Sequence, residues 1–178
     1  QLLVSDPVGD YLPELRGTTV AAPNEAGAYD VVAAKRAITI RDLLTHTAGI
    51  AYGSGVGKDL WEKAGFTSWY FADRDEPIRE CVRRIASLPF QAQPGEQWVY
   101  GYSTDILGAL IEVITEQSLD VFLKQNLFDP LGMSDTHFFL PEYKASRLAS
   151  VYSYRSGYLR KAPEEGGSIS QGHYVEGP

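Results

Sequence analysis

The sequence predicts an α+β domain that is rich in helix and has short strands near its C-terminus. An apolar stripe at helical spacing predicts one helix over about residues 77–88, and a nearly continuous apolar run predicts another over about 103–116. After Leu148 the pattern changes, because tyrosines flank a Ser-Gly turn as they do in a β-hairpin. We therefore expect helices up to residue 150 and a hairpin followed by loop in residues 151–178.

The composition is that of an ordinary globular domain. Apolar residues make up 44% and charged residues 22% of the 178, and the formal net charge is −7. An acidic chain without a run of Lys or Arg suits neither nucleic acid nor an anionic membrane surface, so we expect neither as a partner. No apolar run approaches the roughly 18 residues of a membrane span. No signal peptide is visible in this segment, which leaves cytoplasmic and periplasmic or secreted locations open.

Residues 1–37 are expected to form an extended, turn-rich N-terminal segment, because three prolines exclude a long helix. The first predicted helix starts at Thr39, whose spacing to Asp42 is that of a capping box, and stops at Gly49. His46 would then lie in the last turn, where an imidazole can bond free carbonyl groups. We favour this structural role for His46 over a catalytic one.

The middle of the chain offers several residues whose role is open. The glycine-rich loop 53–58 lacks the spacing of a phosphate-binding loop, so a flexible surface loop is expected. Cys81 lies on the apolar stripe and is expected to be a small buried residue without a disulfide rather than a nucleophile. A cluster of aromatic side chains could cover the core or line an acyl or aryl pocket, and we favour the core. The cluster comprises Trp61, Phe66, Trp69, Tyr70 and Phe71.

The most informative stretch runs from Gln93 to Leu110. Pro94-Gly95 predicts a type II turn, because proline presets the first central φ and glycine takes the positive φ of the second. A short β-like run is expected at 97–100, followed by Ser103 as the N-cap of the next helix. Tyr100 would thus precede a helix N-terminus, whose partial positive charge favours an ionised phenol and could make this tyrosine a base.

Four blocks of sequence carry a resemblance to a known family. They are Asp-Pro-Val-Gly-Asp-Tyr-Leu-Pro-Glu from Asp6, Ile-Thr-Ile-Arg-Asp-Leu-Leu-Thr-His-Thr-Ala-Gly from Ile38, Pro-Gly-x-x-Trp-x-Tyr-x-x-x-x-Asp-x-Leu-Gly from Pro94, and Leu-Phe-Asp-Pro-Leu-Gly-Met-Ser-Asp-Thr from Leu127. Together they resemble the serine β-lactamase and penicillin-binding-protein-like hydrolases, above all the family VIII carboxylesterases and class C β-lactamases. The resemblance implies that residues 38–150 form the helical domain of a β-lactamase/transpeptidase-like fold.

The resemblance also implies an activity, namely hydrolysis of small esters through a serine acyl-enzyme, without a cofactor or metal. Tyr100 takes the position of the tyrosine that shuttles a proton between serine and leaving group. Tyr102 takes a substrate-binding position, which is Asn in the β-lactamases. No serine here is followed by lysine three residues on, and Lys-Thr-Gly is absent, so the chain resembles a fragment that is inactive alone. Its expected partners are a small ester or amide substrate and the remainder of its own fold as a separate chain.

Alternatives remain open from the sequence. One is a penicillin-binding or β-lactamase-type hydrolase acting on β-lactams or D-Ala peptides, and another is a degenerate, non-catalytic binding module. A third is a nucleophile elbow, since Gly101-Tyr-Ser-Thr-Asp105 approaches Gly-x-Ser-x-Gly. Triad partners would follow it in order, but Asp105 would crowd the position of the last glycine. Those partners are Asp129, Asp135, His137 and His173.

Overall fold

The structure, a computed structural model, describes residues 2–66 and 76–162, which fall into two compact units. The first unit contains residues 2–66 and 76–119, and the second contains residues 120–162. Helices and short strands both occur, so the α+β prediction is confirmed. Some of the residues singled out above lie outside the described residues. They are Trp69, Tyr70, Phe71 and His173.

The N-terminal segment is more regular than the sequence suggested. After two single turns of 3-10 helix, Val8–Asp10 and Pro13–Leu15, the chain forms an antiparallel hairpin of β1 (Thr19–Pro23) and β2 (Tyr29–Ala33). Local sequence patterns do not predict this hairpin, because part of its stabilisation comes from a residue far away in the chain. Phe90 exchanges backbone hydrogen bonds of 2.8 Å with β1 on the side away from β2, and no local pattern reveals such a pairing.

Helix α1 (Ile40–Leu44) has the predicted N-terminal capping box. The Thr39 hydroxyl accepts from the Asp42 amide at 3.3 Å, and the Asp42 carboxylate accepts from the Thr39 amide at 2.8 Å. The predicted end at Gly49 is wrong, since the helix stops at Leu44. His46 therefore lies beyond the helix rather than in its last turn, and it adopts a left-handed conformation with φ of 54°.

Helices α2 (Lys58–Lys63) and α3 (Ile78–Ala86) follow. The prediction for 77–88 is confirmed, and α3 buries Cys81, Val82 and Ile85 along one face. Burial, together with the nearby Glu76 carboxylate, raises the pKa of the Cys81 thiol to about 12. The thiol therefore stays protonated near neutral pH, as expected of a small buried residue rather than a nucleophile.

The glycine-rich loop before α2 packs against the first unit's core. Gly53 and Gly57 both adopt positive φ, and a Cβ at Gly53 would lie 2.4 Å from the Phe66 carbonyl oxygen. A Cβ at Gly57 would lie 2.9 Å from that of Ala21 in β1. The surface-loop prediction did not foresee this close packing, which needs glycine for space as well as for conformation.

Helix α4 (Ser103–Thr115) packs against α1 and α3 and buries Ile106, Ala109 and Leu110. The N-cap position belongs to Tyr102, and no side chain bonds the free amides there. The prediction of Ser103 as N-cap is therefore wrong by one residue. Ile114 is exposed, so the helix is covered over its first part and open toward its end.

The second unit follows the end of α4 closely in the chain. Helix α5 (Leu119–Leu123) runs into a π-helical turn, Lys124–Phe128, and a 3-10 helix covers Glu142–Arg147. Strands β3 (Tyr152–Arg155) and β4 (Tyr158–Lys161) form the predicted hairpin, with positive φ at Ser156 and Gly157 in its turn. Within the described parts of the chain, no helix is long and apolar enough to span a membrane.

Candidate active site

Tyr100 lies on the surface of the first unit, three residues before α4 begins, with 58% of its side chain exposed. The predicted turn before it is confirmed, since Gly95 has a φ of 84° and the Glu96 amide donates to the Gln93 carbonyl at 3.1 Å. The predicted β-like run at 97–100 is wrong, because this stretch is irregular. It is nevertheless anchored, since the Val99 amide donates to the His46 carbonyl at 2.8 Å.

Three aromatic rings contact the Tyr100 ring. The His46 ring centroid lies 5.0 Å away, that of Tyr52 lies 5.5 Å away in an edge-on arrangement, and that of Trp98 lies 5.9 Å away in a stacked one. Trp98 is itself 68% exposed. Tyr100 thus contacts aromatic rings on one side and is open to solvent on the other.

Tyr52 links the exposed tyrosine to the core. Its ring also stands edge-on to Tyr102, with centroids 4.7 Å apart. Burial raises the pKa of Tyr52 to about 12, and the charges of Tyr100 and Asp105 and a hydrogen bond with Tyr100 act in the same direction. Tyr52 therefore keeps its proton near neutral pH.

Gly101 explains how two neighbouring tyrosines reach different environments. A Cβ at this position would lie 2.2 Å from the Ile50 carbonyl oxygen and 2.6 Å from the Ala51 Cα. Only glycine permits this approach of two backbone segments. The close contact fixes the chain between Tyr100, which faces solvent, and Tyr102, which faces the core.

Tyr102 is 1% exposed and lies among aromatic rings. It stacks on Trp61 at 6.1 Å with ring planes 12° apart, and it stands edge-on to Phe66 at 6.2 Å. Trp61 and Phe66 are both buried, as the core interpretation of the aromatic cluster predicted. The substrate-binding role of Tyr102 stays a prediction. In the structure, the Tyr102 ring packs inside the first unit.

Ser103 and Asp105 do not form the start of a nucleophile elbow. Ser103 is fully buried, and its hydroxyl has no hydrogen-bond partner among residues 2–66 and 76–162. A serine nucleophile needs a base within hydrogen-bond reach. Burial raises the pKa of Asp105, which lies in the first turn of α4 rather than beside a histidine.

The second unit uses the proposed triad partners in other ways. Asp135 binds Arg147 through both oxygens at 2.8 Å, and Arg147 and Lys144 hold the pKa of Asp135 well below its usual range. Nε2 of His137 lies 3.0 Å from the Lys144 ammonium, which can only donate, so this nitrogen accepts. Asp129 pairs with Lys124. Because each carboxylate is bound to a cation, neither orients His137 as a base.

A cavity of about 480 Å³ lies beside this cluster in the second unit. Apolar side chains such as Phe128, Met133 and Tyr143 make up much of its wall, and Lys144 and His137 contribute polar atoms. Among the described residues, no group of three or more His, Cys, Asp or Glu side chains could hold a metal ion.

The sequence motif identifies Tyr100 but not the residues around it. Trp98 belongs to the same motif, and alternate residues of an extended segment project to one side, so its spacing to Tyr100 was an available signal. The sequence pattern places His46 at a helix end and gives no signal for Tyr52. Neither of these contacts has a local signal, because both residues are about 50 positions away in the chain.

Comparison with known proteins gives consistent results. A family model described as Beta-lactamase matches residues 1–174. An uncharacterised protein of Mycobacterium tuberculosis is 31% identical over 153 residues, covering 85% of this chain and 37% of that protein. Esterase EstB of Burkholderia gladioli is 34% identical over 140 residues, covering 78% of this chain and 32% of EstB.

Among solved structures, EstCE1, a hydrolase with promiscuous acyltransferase activity, has a TM-score of 0.71 at 21% identity. The match covers 98% of this chain and 44% of EstCE1, and it shows that the fold is shared. The chain spans about a third of the length of the curated relatives it matches.

Proposed function

The chain belongs to the Beta-lactamase family, and on this premise we propose that it is the Tyr100-bearing part of a serine carboxylesterase that hydrolyses small esters. The observation that carries the proposal is the placement of Tyr100, whose phenol is exposed and held by the rings of His46, Tyr52 and Trp98. EstB, one of the esterases among the relatives, matches the region that contains this tyrosine's motif.

In the proposed reaction, a serine hydroxyl attacks the ester carbonyl, and Tyr100 takes the proton that the hydroxyl loses. Tyr100 then gives this proton to the alkoxide that leaves, which produces the alcohol and an acyl-enzyme. Water hydrolyses the acyl-enzyme by the reverse proton transfers, so the serine is regenerated. The serine and its lysine neighbour come from residues outside these 178, because the sequence contains no Ser-x-x-Lys.

Tyr52 supports this role of Tyr100 in the proposal. It stays protonated near neutral pH, and its ring stands edge-on to that of Tyr100 with centroids 5.5 Å apart. This contact limits the movement of the Tyr100 ring on one side. Within the described residues, the chain thus supplies the base and its immediate surroundings, and the substrate is a small ester or amide.

Two alternatives differ from this proposal in what they require of the chain. A β-lactam or D-Ala-peptide hydrolase would use an amide at position 102, whereas this chain has the buried Tyr102 there. A non-catalytic binding module would lack Ser-x-x-Lys in the whole encoded protein. The sequence of the gene upstream of Gln1 decides this second alternative, because the motif is either encoded there or not.

The three-part division into residues 1–37, 38–150 and 151–178 also stays a proposal. In it, the last part leads from the helical domain into a sheet that residues outside this chain supply. That remainder of the fold is then the partner of this chain, whether covalently joined to it or present as a separate polypeptide.

The test compares p-nitrophenyl butyrate hydrolysis by the 178-residue chain, by the complete encoded protein and by its Tyr100→Phe variant. We expect no turnover by the chain alone and a fall in kcat of roughly 10²–10⁴-fold on loss of the base. Tyr154→Phe, at an exposed position in the second unit, is the matched control and should retain full activity. Turnover by the isolated chain, or full activity of Tyr100→Phe, would contradict the proposal.

A further inference from the structure

His46 combines a left-handed backbone with a buried ring nitrogen that lacks a partner. Its φ of 54° belongs to the Schellman motif that ends α1, in which the Thr47 amide donates to the Asp42 carbonyl at 2.8 Å and the His46 amide donates to the Leu43 carbonyl at 3.2 Å. Its Nδ1 atom is buried and has no hydrogen-bond partner among residues 2–66 and 76–162. The helix end therefore accounts for the backbone conformation, whereas the unpartnered ring nitrogen calls for another explanation.

The backbone of His46 holds the segment that carries Tyr100. Its carbonyl oxygen accepts a hydrogen bond of 2.8 Å from the Val99 amide. The left-handed turn after α1 directs this carbonyl toward residue 99 rather than along the helix axis, where a helical residue would point it. The left-handed cap of α1 therefore places the acceptor that fixes the chain midway between Trp98 and Tyr100.

The side chain of His46 meets both residues that flank Val99. Val99 itself is buried, whereas Trp98 and Tyr100 lie on the opposite, exposed side. The imidazole centroid is 5.0 Å from that of Tyr100 and 6.2 Å from that of Trp98. One residue thus contacts the segment through its backbone and through its ring.

We propose that His46 is a positioning residue, which fixes the orientation of the Tyr100 phenol through the Val99 hydrogen bond and the ring contact. This inference rests on the proposed role of Tyr100 as base. His46 itself does not exchange a proton with substrate.

The experiment follows the Tyr100 ring directly by NMR of tyrosine-labelled protein, with its signals assigned by their loss in Tyr100→Phe. His46→Asn keeps a residue that tolerates the left-handed conformation, and His46→Gly removes the ring and places the usual residue at the helix cap. We expect both variants to move the Tyr100 signals toward those of the exposed Tyr154 while the Tyr29 signals stay in place. His137→Asn, the same substitution in the second unit, should leave Tyr100 unchanged.

Unchanged Tyr100 signals in two folded variants would overturn the proposal. Should both variants unfold, a nuclear Overhauser effect between the His46 and Tyr100 rings of the unmodified chain decides, and its absence overturns the proposal. In the complete enzyme, His46→Asn should lower kcat on the order of 10²-fold and leave KM unchanged. Loss of esterase activity in every preparation, with the ring signals shifted as expected, would refute the esterase and leave the positioning contact standing.

Discussion

The indole of Trp98 stacks on the phenol of Tyr100, with ring centroids 5.9 Å apart and planes 16° apart. Both rings are more than half exposed, so the pair adds little to the buried core of the first unit. Its value lies in presenting a flat aromatic surface next to the proposed base. Trp98 and Tyr100 therefore serve the proposed site, whereas the buried residues of the first unit serve its stability.

Trp98→Ala should lower the free energy of unfolding by less than about 1 kcal/mol, because the indole is already largely in water. Trp61→Ala should lower it by roughly 3–5 kcal/mol, since Trp61 is buried and its Nε1 donates to the Pro89 carbonyl at 2.8 Å. Urea unfolding followed by circular dichroism measures both. Equal losses for the two variants would contradict this assignment.

Gly101→Ala should destabilise the first unit by about 1–3 kcal/mol, because the added methyl group meets backbone atoms that cannot swing aside. Its Cβ would lie 2.2 Å from the Ile50 carbonyl oxygen. Gly17→Ala is the matched control, since a Cβ there meets no atom within 4 Å. Thermal unfolding of the two variants should show a clear drop in Tm for the first only. A Tm for Gly101→Ala within error of the control would show that the two segments can separate.

The Asp42 carboxylate should make the free energy of unfolding fall at acidic pH. Burial by itself raises the pKa of Asp42, but hydrogen bonds from Arg36 and Thr39 outweigh it and lower the pKa to about 2. Because the folded value lies below the unfolded one of about 3.9, the charged form stabilises the fold. This contribution of about 2 kcal/mol is complete above the unfolded pKa and is lost as the pH falls toward 2.

Urea unfolding at a series of pH values from 7 to about 2 checks this expectation. Asp42→Asn should reduce the loss of unfolding free energy at acidic pH by the contribution of this carboxylate. Asp10→Asn, at an exposed carboxylate, should leave that contribution unchanged. An acid slope that is the same in all three proteins would show that Asp42 is not the group responsible.

Cys81 should resist thiol reagents in the native protein. Its side chain is fully buried and its pKa is raised to about 12, so both access and thiolate formation are limited. The reaction of Cys81 with Ellman's reagent, followed by absorbance, should be slow in buffer and fast in denaturing urea. Rapid labelling of native protein would indicate frequent local opening around α3.

Local signals predicted the elements whose stabilising contacts are themselves local. The capping box of Thr39 and Asp42, the apolar stripe of α3 and the Ser-Gly turn between β3 and β4 all involve residues within a few positions of each other. The β1–β2 hairpin was missed because Phe90 supports it from 70 residues away. The end of α1 was misplaced although its cap is local, because the Thr47 amide bonds the Asp42 carbonyl around a left-handed His46, a position where glycine is the usual signal.

By itself the sequence determined the family resemblance and the turn at Pro94-Gly95, and it singled out Tyr100 as the residue proposed as base, because each depends on residue types at fixed spacing. Only the tertiary structure decided which of two nearby tyrosines faces solvent and which residues hold it. Tyr100 and Tyr102 have the same side chain, and the contact of Gly101 with Ile50 and Ala51 assigns one to the surface and the other to the core. Such a contact joins segments about 50 residues apart, so the packing of the whole unit must form before the two positions differ.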